Sequence, residues 1–269
     1  MEKNLMFAEV QEVFELSPNM IRIVLGGGDL SSFESTSFTD QYINAYFVPA
    51  GAPYSVPFDL DEARSSGEKF RPRPRRFTVR RWESETEQLT IDFVAHGDQG
   101  YAGNWAQRAQ IGDRLQFKGP SGSYAPDSEV DWHLLAGDES AISAISASVV
   151  TIPDTKPCTV FLIVDGPENK INFSSSPSHE INWIYRSTAP DPDTALLEAI
   201  KEHTFRDGDF DIFIHGEAGE VREIRKHLVM NYKIDLENAS ISPYWRRDHT
   251  DEAWRSIKKQ WLADQEKDI

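Results

Sequence analysis

The feature that most constrains this chain is a change of local grammar near residue 130. Before it, short β-rich runs follow one another at close spacing: Ala8 to Leu16, Met20 to Leu25, Tyr42 to Val48, Arg76 to Trp82, Gln88 to Ala95 and Arg114 to Phe117. Turn residues punctuate them at Ser17-Pro18-Asn19, at Pro49, over the acidic stretch Glu83 to Glu87, and at Gly119-Pro120. Short strands at this spacing predict a small antiparallel barrel. After it, strand-like runs at Trp132 to Gly137, Thr159 to Val164, Ile181 to Arg186 and Phe210 to His215 alternate with helical spacing. The helices fall at Ser140 to Val150, Thr194 to Glu202 and Ala218 to Tyr232. Alternating β and α predicts a parallel sheet. The expected fold class is therefore a β barrel plus α/β: an antiparallel six-stranded barrel over 1–127, then a parallel-sheet α/β domain over 128–269. In the tail, Ala253, Trp254, Ile257, Trp261 and Leu262 share one face of an amphipathic closing helix. The polar, Pro-rich stretch Pro53 to Pro74 is expected to be an irregular surface loop.

Charge narrows the function. The 269 residues carry 28 Lys and Arg against 44 Asp and Glu, a net of −16, which repels a phosphate backbone and argues against nucleic acid as a partner. An anionic ligand would need a local basic patch. One cysteine, Cys158, allows no intrachain disulfide and no all-cysteine metal site, and fits a reducing compartment. No apolar run reaches about 18 residues and no signal-like stretch opens the chain, so a cytoplasmic protein, off the membrane and with nothing demanding more than a monomer, is expected. The seven histidines lack close ligand spacing, Cys158 has no obvious partner base, and no Gly-x-Ser-x-Gly elbow occurs. Zinc hydrolysis and serine or cysteine catalysis are therefore poor fits, and no metal site is expected.

The densest basic stretch runs from Arg71 to Trp82, with six arginines. Arginine suits a phosphate because its planar fork donates two hydrogen bonds at once. Arg75, Phe77, Thr78 and Arg80 form an Arg-any-aromatic-Thr-any-Arg pattern. Strand alternation puts Arg76, Thr78 and Arg80 on one face and Arg75, Phe77 and Val79 on the other. A ring beside a hydroxyl suits a flat heteroaromatic ligand; the plainer alternative is a solvated basic strand. Downstream, Asp92-Phe93-Val94-Ala95-His96-Gly97 leads into Ala102-Gly103-Asn104-Trp105-Ala106, a strand, a glycine-rich turn and a helix start able to hold a pyrophosphate. In the second half, Asp138-Glu139-Ser140-Ala141 and Glu217-Ala218 each follow a strand, where open α/β sheets bind ligands. Neither is a Gly-x-Gly-x-x-Gly or P-loop motif, and both acidic turns are equally readable as helix caps.

In order and spacing these motifs, with Tyr244-Trp245-Arg246-Arg247, resemble the siderophore-interacting protein family, flavin-dependent ferric-siderophore reductases related to ferredoxin-NADP reductases. The resemblance covers nearly the whole chain. It implies that the barrel holds FAD and that the α/β domain receives NAD(P)H. Arg75 would face FAD, Phe77 would pack on its isoalloxazine, Thr78 would hydrogen-bond near the reactive nitrogen, and Val79 and Arg80 would complete the signature; Phe77 and Thr78 would be the catalytic contacts. Asp92, Val94 and His96 would lie on the adenine side, and Ala102 to Ala106 would take the pyrophosphate. Asp138, Glu139, Ser140, Ala141 and Glu217 would line the nicotinamide cleft, with Trp245 and Arg246 closing over the flavin. Arg246, Arg247, Lys258 and Lys259 would hold the anionic ferric siderophore. Three positions depart from the family pattern: Phe77 replaces the commoner Tyr, Ser121 stands where relatives carry a basic residue, and Asp248 replaces a usual Gly.

The implied chemistry passes electrons from NAD(P)H through FAD to a ferric siderophore and releases Fe(II) for iron assimilation. The alternatives left open are reduced ferredoxin as donor, a general NAD(P)H:flavin oxidoreductase, and a flavin-free module that only sequesters the chelate.

Overall fold

The computed structural model describes residues 5–95, 100–236 and 239–268. They divide into two compact units, Met1–Ala125 and Pro126–Ile269.

The first unit is a closed barrel of six strands: β1 (Leu5–Ser17), β2 (Met20–Gly26), β3 (Tyr42–Phe47), β4 (Arg73–Glu83), β5 (Gln88–Val94) and β6 (Arg114–Ser121). Their order is β1-β2-β5-β4-β3-β6, every pairing antiparallel. Alternate residues point inward, so Ala8 and Val10, Ile23 and Leu25, Ile43 and Ala45, Leu89, Ile91 and Phe93, and Leu115 and Phe117 fuse into one buried core.

The segment expected to be a loop, Pro53 to Pro74, is only partly one. It contains helix α1 (Leu60–Ser65), whose N-cap Asp59 accepts from the amides of Asp61 at 2.8 Å and Glu62 at 3.0 Å, and its last residues already belong to β4. Proline density hid an ordinary Asp cap followed by the buried pair Leu60 and Ala63. Gly119-Pro120-Ser121 also proves to be strand rather than turn, with Ser121 paired to Tyr42. Gly119 sits at φ +144°, and a Cβ there would lie 3.1 Å from the backbone of Tyr42 and Ile43, so no other residue lets β6 cross β3 this closely. Helix α2 (Ala102–Arg108) packs Ala106 and Trp105 onto the barrel core.

The second unit is a five-stranded parallel sheet: β7 (Trp132–Gly137), β8 (Cys158–Val164), β9 (His179–Tyr185), β10 (Phe210–Glu217) and β11 (Ala239–Trp245), in the order β11-β10-β7-β8-β9. Helices α3 (Ile142–Val149), α4 (Ala195–Glu202), α5 (Ala218–Tyr232) and α6 (Asp251–Gln265) accompany it. Strand β11 was not expected from sequence. It holds Pro243, which a sheet tolerates at its edge, where the missing amide faces no neighbour. Because β7 is central, with β8 and β9 on one side and β10 and β11 on the other, the order reverses between β7 and β10. At such a point the carboxyl ends of an open sheet part to form a crevice.

The apolar face expected of α6 is only partly buried. Trp254 is buried and meets Trp261 edge-on, with centroids 5.5 Å apart, while Ala253 and Ile257 stay exposed. No helix among the described residues is long and apolar enough to cross a membrane.

Candidate functional site

In the barrel unit the arginine-rich strand keeps the predicted alternation as far as Val79. Residues opposed across an antiparallel pair share a face, and Phe77 opposes Ile43, Arg75 opposes Ala45 and Arg73 opposes Phe47, all inward. Thr78 opposes Tyr42 and Arg76 opposes Asn44, all outward. A one-residue bulge then intervenes between Val79 and Arg81, leaving Arg80 out of register. Phe77 is first of all a wall of an aromatic cluster, its centroid 4.4 Å from Phe93 and 6.0 Å from Phe47. Val79, expected at the cofactor, is a core residue with 1% exposure.

The outward face offers the Thr78 hydroxyl beside Arg76, whose guanidinium lies 5.4 Å from the Tyr42 ring. Toward the rim, Arg75 donates to the Pro74 carbonyl at 2.9 Å and lies 5.8 Å from the Tyr101 ring. Arg73 brings a buried Nε with no acceptor in the protein. Its Nη1 pairs loosely with Glu68 at 3.9 Å, so the open donor is Nε alone, and a buried donor left open at the end of an arginine-dense strand is one an anion can complete. The donor set fits the phosphates and ring oxygens of a flavin dinucleotide.

Asp92 is not available to a ligand. It is buried on β5, and its two oxygens accept from Arg22 Nε at 2.7 Å and Nη2 at 2.8 Å. That side-chain bond and Asp92's charge raise the Arg22 guanidinium against the opposing effect of burial. Burial lowers Arg80, partly offset by the same carboxylate. Asp92 thus ties β5 to β2 through Arg22. Arg22 was missed from sequence, although a lone arginine inside the apolar run Met20 to Leu25 is the mark of a buried partner.

Farther along, Val94 ends β5 and stays half-buried, as do Ala102 and Gly103. A Cβ on Gly103 would meet the Ala95 backbone at 3.2 Å, so α2 starts hard against the end of β5. Asn104 donates to the Gly100 carbonyl at 2.7 Å. In the segment assigned to the pyrophosphate, two side chains turn inward: Ala106 is buried, and Trp105 packs against Phe93 and Phe47 at 5.6 and 5.8 Å. His96 lies outside the described residues.

In the α/β unit, the switch point between β7 and β10 is closed by a carboxylate. Asp138 is 1% exposed. One of its oxygens accepts from Ser140 N at 2.9 Å and Ser140 Oγ at 2.5 Å, the other from Glu217 N at 2.8 Å and Trp245 Nε1 at 2.7 Å. It staples the ends of β7, β10 and β11 and so is not the ligand contact expected of it. Glu217 caps α5 through Gly219 N and Glu220 N, and its other oxygen accepts from Arg247 N at 3.0 Å. Ala141 is fully buried against Gly137. Of the two turns read as possible caps, Glu217 caps its helix, whereas Asp138 does not cap α3 and closes its turn through Ser140.

Two groups missed from sequence complete this edge. Arg186, just past β9, donates to Glu139 Oε1 at 2.7 Å. Burial pushes the Glu139 carboxyl up and Arg186 pulls it back. Glu220, on the first turn of α5, is buried with one carboxylate oxygen lacking any partner. Its pKa is pushed up to about 8 by burial first and by Asp138 next, with Arg186 opposing and Glu217 and Glu139 adding. Only the three-dimensional clustering of acids around it signals this.

The sign of the resulting pH dependence follows. Between the ordinary value of 4.5 and about 8, the folded chain holds a proton that the unfolded chain has released, so stability contributed by this group falls as pH rises through that window. The slope is at most about 1.4 kcal/mol per pH unit. Glu220→Gln should flatten it. Urea unfolding at pH 5, 6.5 and 8 should show the wild type losing stability relative to the variant, and parallel pH profiles would refute the assignment.

The expected chelate-binding cations do not form one patch. Arg246 and Arg247 line a cavity of about 490 Å³ together with Arg222, Lys226 and Trp261. Arg247 is paired with Asp193 and Glu220, whereas Arg246 lies 5.8 Å from the Trp261 ring. Lys258 donates to the Pro243 carbonyl at 2.6 Å, tying α6 to the sheet edge, and Lys259 is exposed on the helix. No cluster of three or more metal-ligating side chains occurs among the described residues.

Comparison with known proteins matches each half separately. A model of the siderophore-interacting FAD-binding domain covers residues 9–124, and one of the siderophore-interacting protein covers residues 130–248. The chain is 34% identical to ferric vibriobactin reductase ViuB of Vibrio cholerae over 245 residues, 89% of this chain and 88% of the relative. It is 28% identical to the NADPH-dependent ferric-chelate reductase of Escherichia coli over 241 residues, 88% and 91% of the two chains. The crystal structure of the siderophore-interacting protein SipS from Aeromonas hydrophila superposes with a TM-score of 0.83 at 24% identity, covering 97% of this chain and 99% of that one, a likeness of fold.

Proposed function

Because the chain belongs to the siderophore-interacting protein family, we propose that it is a flavoprotein ferric-siderophore reductase that takes electrons from NAD(P)H. When bound, FAD would accept a nicotinamide hydride as an electron pair and release the electrons singly, as Fe(III) requires. Reduction loosens the chelate because hard oxygen donors hold Fe(II) less tightly than Fe(III).

The residues divide the work. Arg76 and the Thr78 hydroxyl, on the outward face of β4, would meet FAD there, Arg73 and Arg75 would reach it only at the rim, and Phe77 stiffens the strand from behind through the aromatic cluster. In the α/β unit, Ser140 and the residues stapled by Asp138 would frame the nicotinamide dinucleotide. Arg246 and Lys226 line the same cavity, which also holds Asp193, Glu223 and Asp248, and are the cations we assign to an anionic chelate, which would make docking sensitive to salt.

The observation that carries this reading is the buried Nε of Arg73, which has no acceptor while Nη1 of the same group lies 3.9 Å from Glu68, in an arginine-dense strand of a chain whose net charge is −16. Arg73→Met should weaken FAD retention by about 1.5–3 kcal/mol, the worth of a hydrogen bond to a charged group, or roughly ten- to a hundred-fold, with little change in the unfolding midpoint. Equilibrium dialysis against FAD measures it. The function itself is tested by the visible spectrum of the purified protein, then by anaerobic addition of NADH or NADPH and a ferric chelate with a ferrous trap. Yellow protein that bleaches with a nicotinamide and recolours as Fe(II) appears is expected. Colourless protein that refuses FAD ends the proposal; flavin reduced by ferredoxin alone overturns the choice of donor.

A further inference from the structure

The acids lining the cavity of about 490 Å³ beside α5 are not equivalent. Asp193, Glu223 and Asp248 are exposed, where water completes their hydrogen bonding. Asp268 is paired with Arg222. Glu217 has both oxygens occupied, one by Gly219 N and Glu220 N, the other by Arg247 N. Glu220 is withdrawn from water and still incomplete. Its side chain is 4% accessible, Oε1 lies a long 3.5 Å from Arg247 Nη2, and Oε2 is buried with no partner.

The charged groups around Glu220 come from four strand ends. Asp138 follows β7, with Glu139 beside it paired to Arg186 past β9; Glu217 ends β10; and Arg247, past β11, divides itself between Glu220 and Asp193. Burial first, then Asp138, with Glu217 and Glu139 adding and Arg186 opposing, push the carboxyl up to about 8. At neutral pH it therefore keeps its proton. An unionised carboxyl carries one O–H donor, and a buried donor left open calls for an acceptor. On the wall of a cavity, that acceptor is a ligand oxygen.

Releasing iron from an oxygen chelate takes a proton as well as an electron, because the oxygen that lets go of the metal is anionic and rebinds unless it is capped. We propose that Glu220 is the general acid of ferric-chelate reduction, giving its proton to the ligand oxygen that leaves the iron. This role rests on the reading of the cavity as the chelate site. One electron, supplied by the reductase reaction, converts Fe(III) to Fe(II). The iron–oxygen bond breaks with its electron pair on oxygen, the Glu220 proton goes to that oxygen, and the resulting carboxylate takes a proton back from water. Arg246 and Lys226, on the same cavity, hold the anion meanwhile. An acid whose proton affinity lies near the working pH is both loaded before each turnover and able to give its proton up.

The test uses the full-length protein and Glu220→Gln, which keeps the shape of the side chain but has no proton to give. Binding is measured with a redox-inert gallium(III) tris-catecholate by quenching of tryptophan emission, and Arg246→Gln should weaken it. Turnover is then followed anaerobically in FAD-loaded protein whose flavin has been reduced by light, so that the choice of donor plays no part. In the wild type, capture of Fe(II) by a trap should keep pace with flavin reoxidation and slow as pH rises through about 8. In Glu220→Gln it should lag, slower by about a hundred-fold, the lower end of what a positioned general acid contributes, and show no such pH dependence. Glu220→Asp, which retains an acid, should recover part of the rate. Infrared spectra without flavin should show a protonated-carboxyl band that the wild type loses above that pH and Glu220→Gln lacks. Equal capture rates and pH profiles in wild type and Glu220→Gln overturn the role of Glu220 and leave the cavity assignment intact. Failure of the gallium chelate to bind, or binding indifferent to Arg246→Gln, overturns the cavity assignment and the role with it.

Discussion

Replacing Asp138 with alanine should unfold the α/β unit at markedly lower denaturant concentration, with a loss of about 2–6 kcal/mol. The figure comes from two buried donors, Glu217 N and Trp245 Nε1, which would lose their acceptor at about 1–3 kcal/mol each. Ser140 can turn to solvent and contributes less. Such a loss is a large part of the roughly 5–15 kcal/mol that holds a typical domain together. The structure has made room for this carboxylate: Gly216 sits at φ +149°, and a Cβ there would lie 2.8 Å from an Asp138 oxygen. Asp138→Asn separates shape from charge. It is isosteric and can keep its oxygen toward Glu217 N and Trp245 Nε1 with its amide nitrogen toward Ser140, so it should recover much of the loss. A second signature is electrostatic. Asp138 is the largest charge contribution raising Glu220, so its removal should bring the Glu220 proton affinity down. Urea titration followed by tryptophan emission decides the matter, and a cost below about 1 kcal/mol for Asp138→Ala would show that the staple is incidental.

The second large effect belongs to the barrel and is asymmetric. In the Arg22 to Asp92 pair the side chains are 27% and 1% exposed, so the partner left behind differs in each single variant. Arg22→Ala removes the guanidinium from a buried carboxylate and should cost about 3–5 kcal/mol, the range for breaking a buried ion pair. Asp92→Ala leaves an arginine that can reach water, and should cost less. Replacing both by apolar residues of similar size, Arg22→Met with Asp92→Leu, should restore most of the stability, since a well-packed apolar pair often matches a buried ionic one. Equal costs for the two single variants would contradict the burial argument.

How much was legible in advance varies with the kind of signal. Strand β10 and helix α5 were readable almost to the residue, because a continuous apolar run and a 3.6-residue period are local properties of the chain. Helix α1 and strand β11 were not: the first lies in a proline-rich stretch whose cap is a single aspartate, and the second carries a proline that only an edge position excuses. The same division holds at the site. Arg75, Phe77 and Thr78 declared themselves by type and spacing on one strand. Arg22, Arg186 and Glu220 did not, because their partners Asp92, Glu139 and Asp138 lie 70, 47 and 82 residues away in the chain.

By itself the sequence determined the two-part architecture, the arginine signature and the family, since periodicity, composition and motif order are written along the chain. Only the tertiary structure decided which acids remain available to a ligand. Asp92 reads as a ligand group in one dimension, and Asp138 and Glu217 as ligand groups or helix caps; in the fold they are a salt-bridge anchor, a three-strand staple and a helix cap. A carboxylate's role depends on which donors surround it and how far water is excluded, and both are fixed only when distant strands are brought side by side.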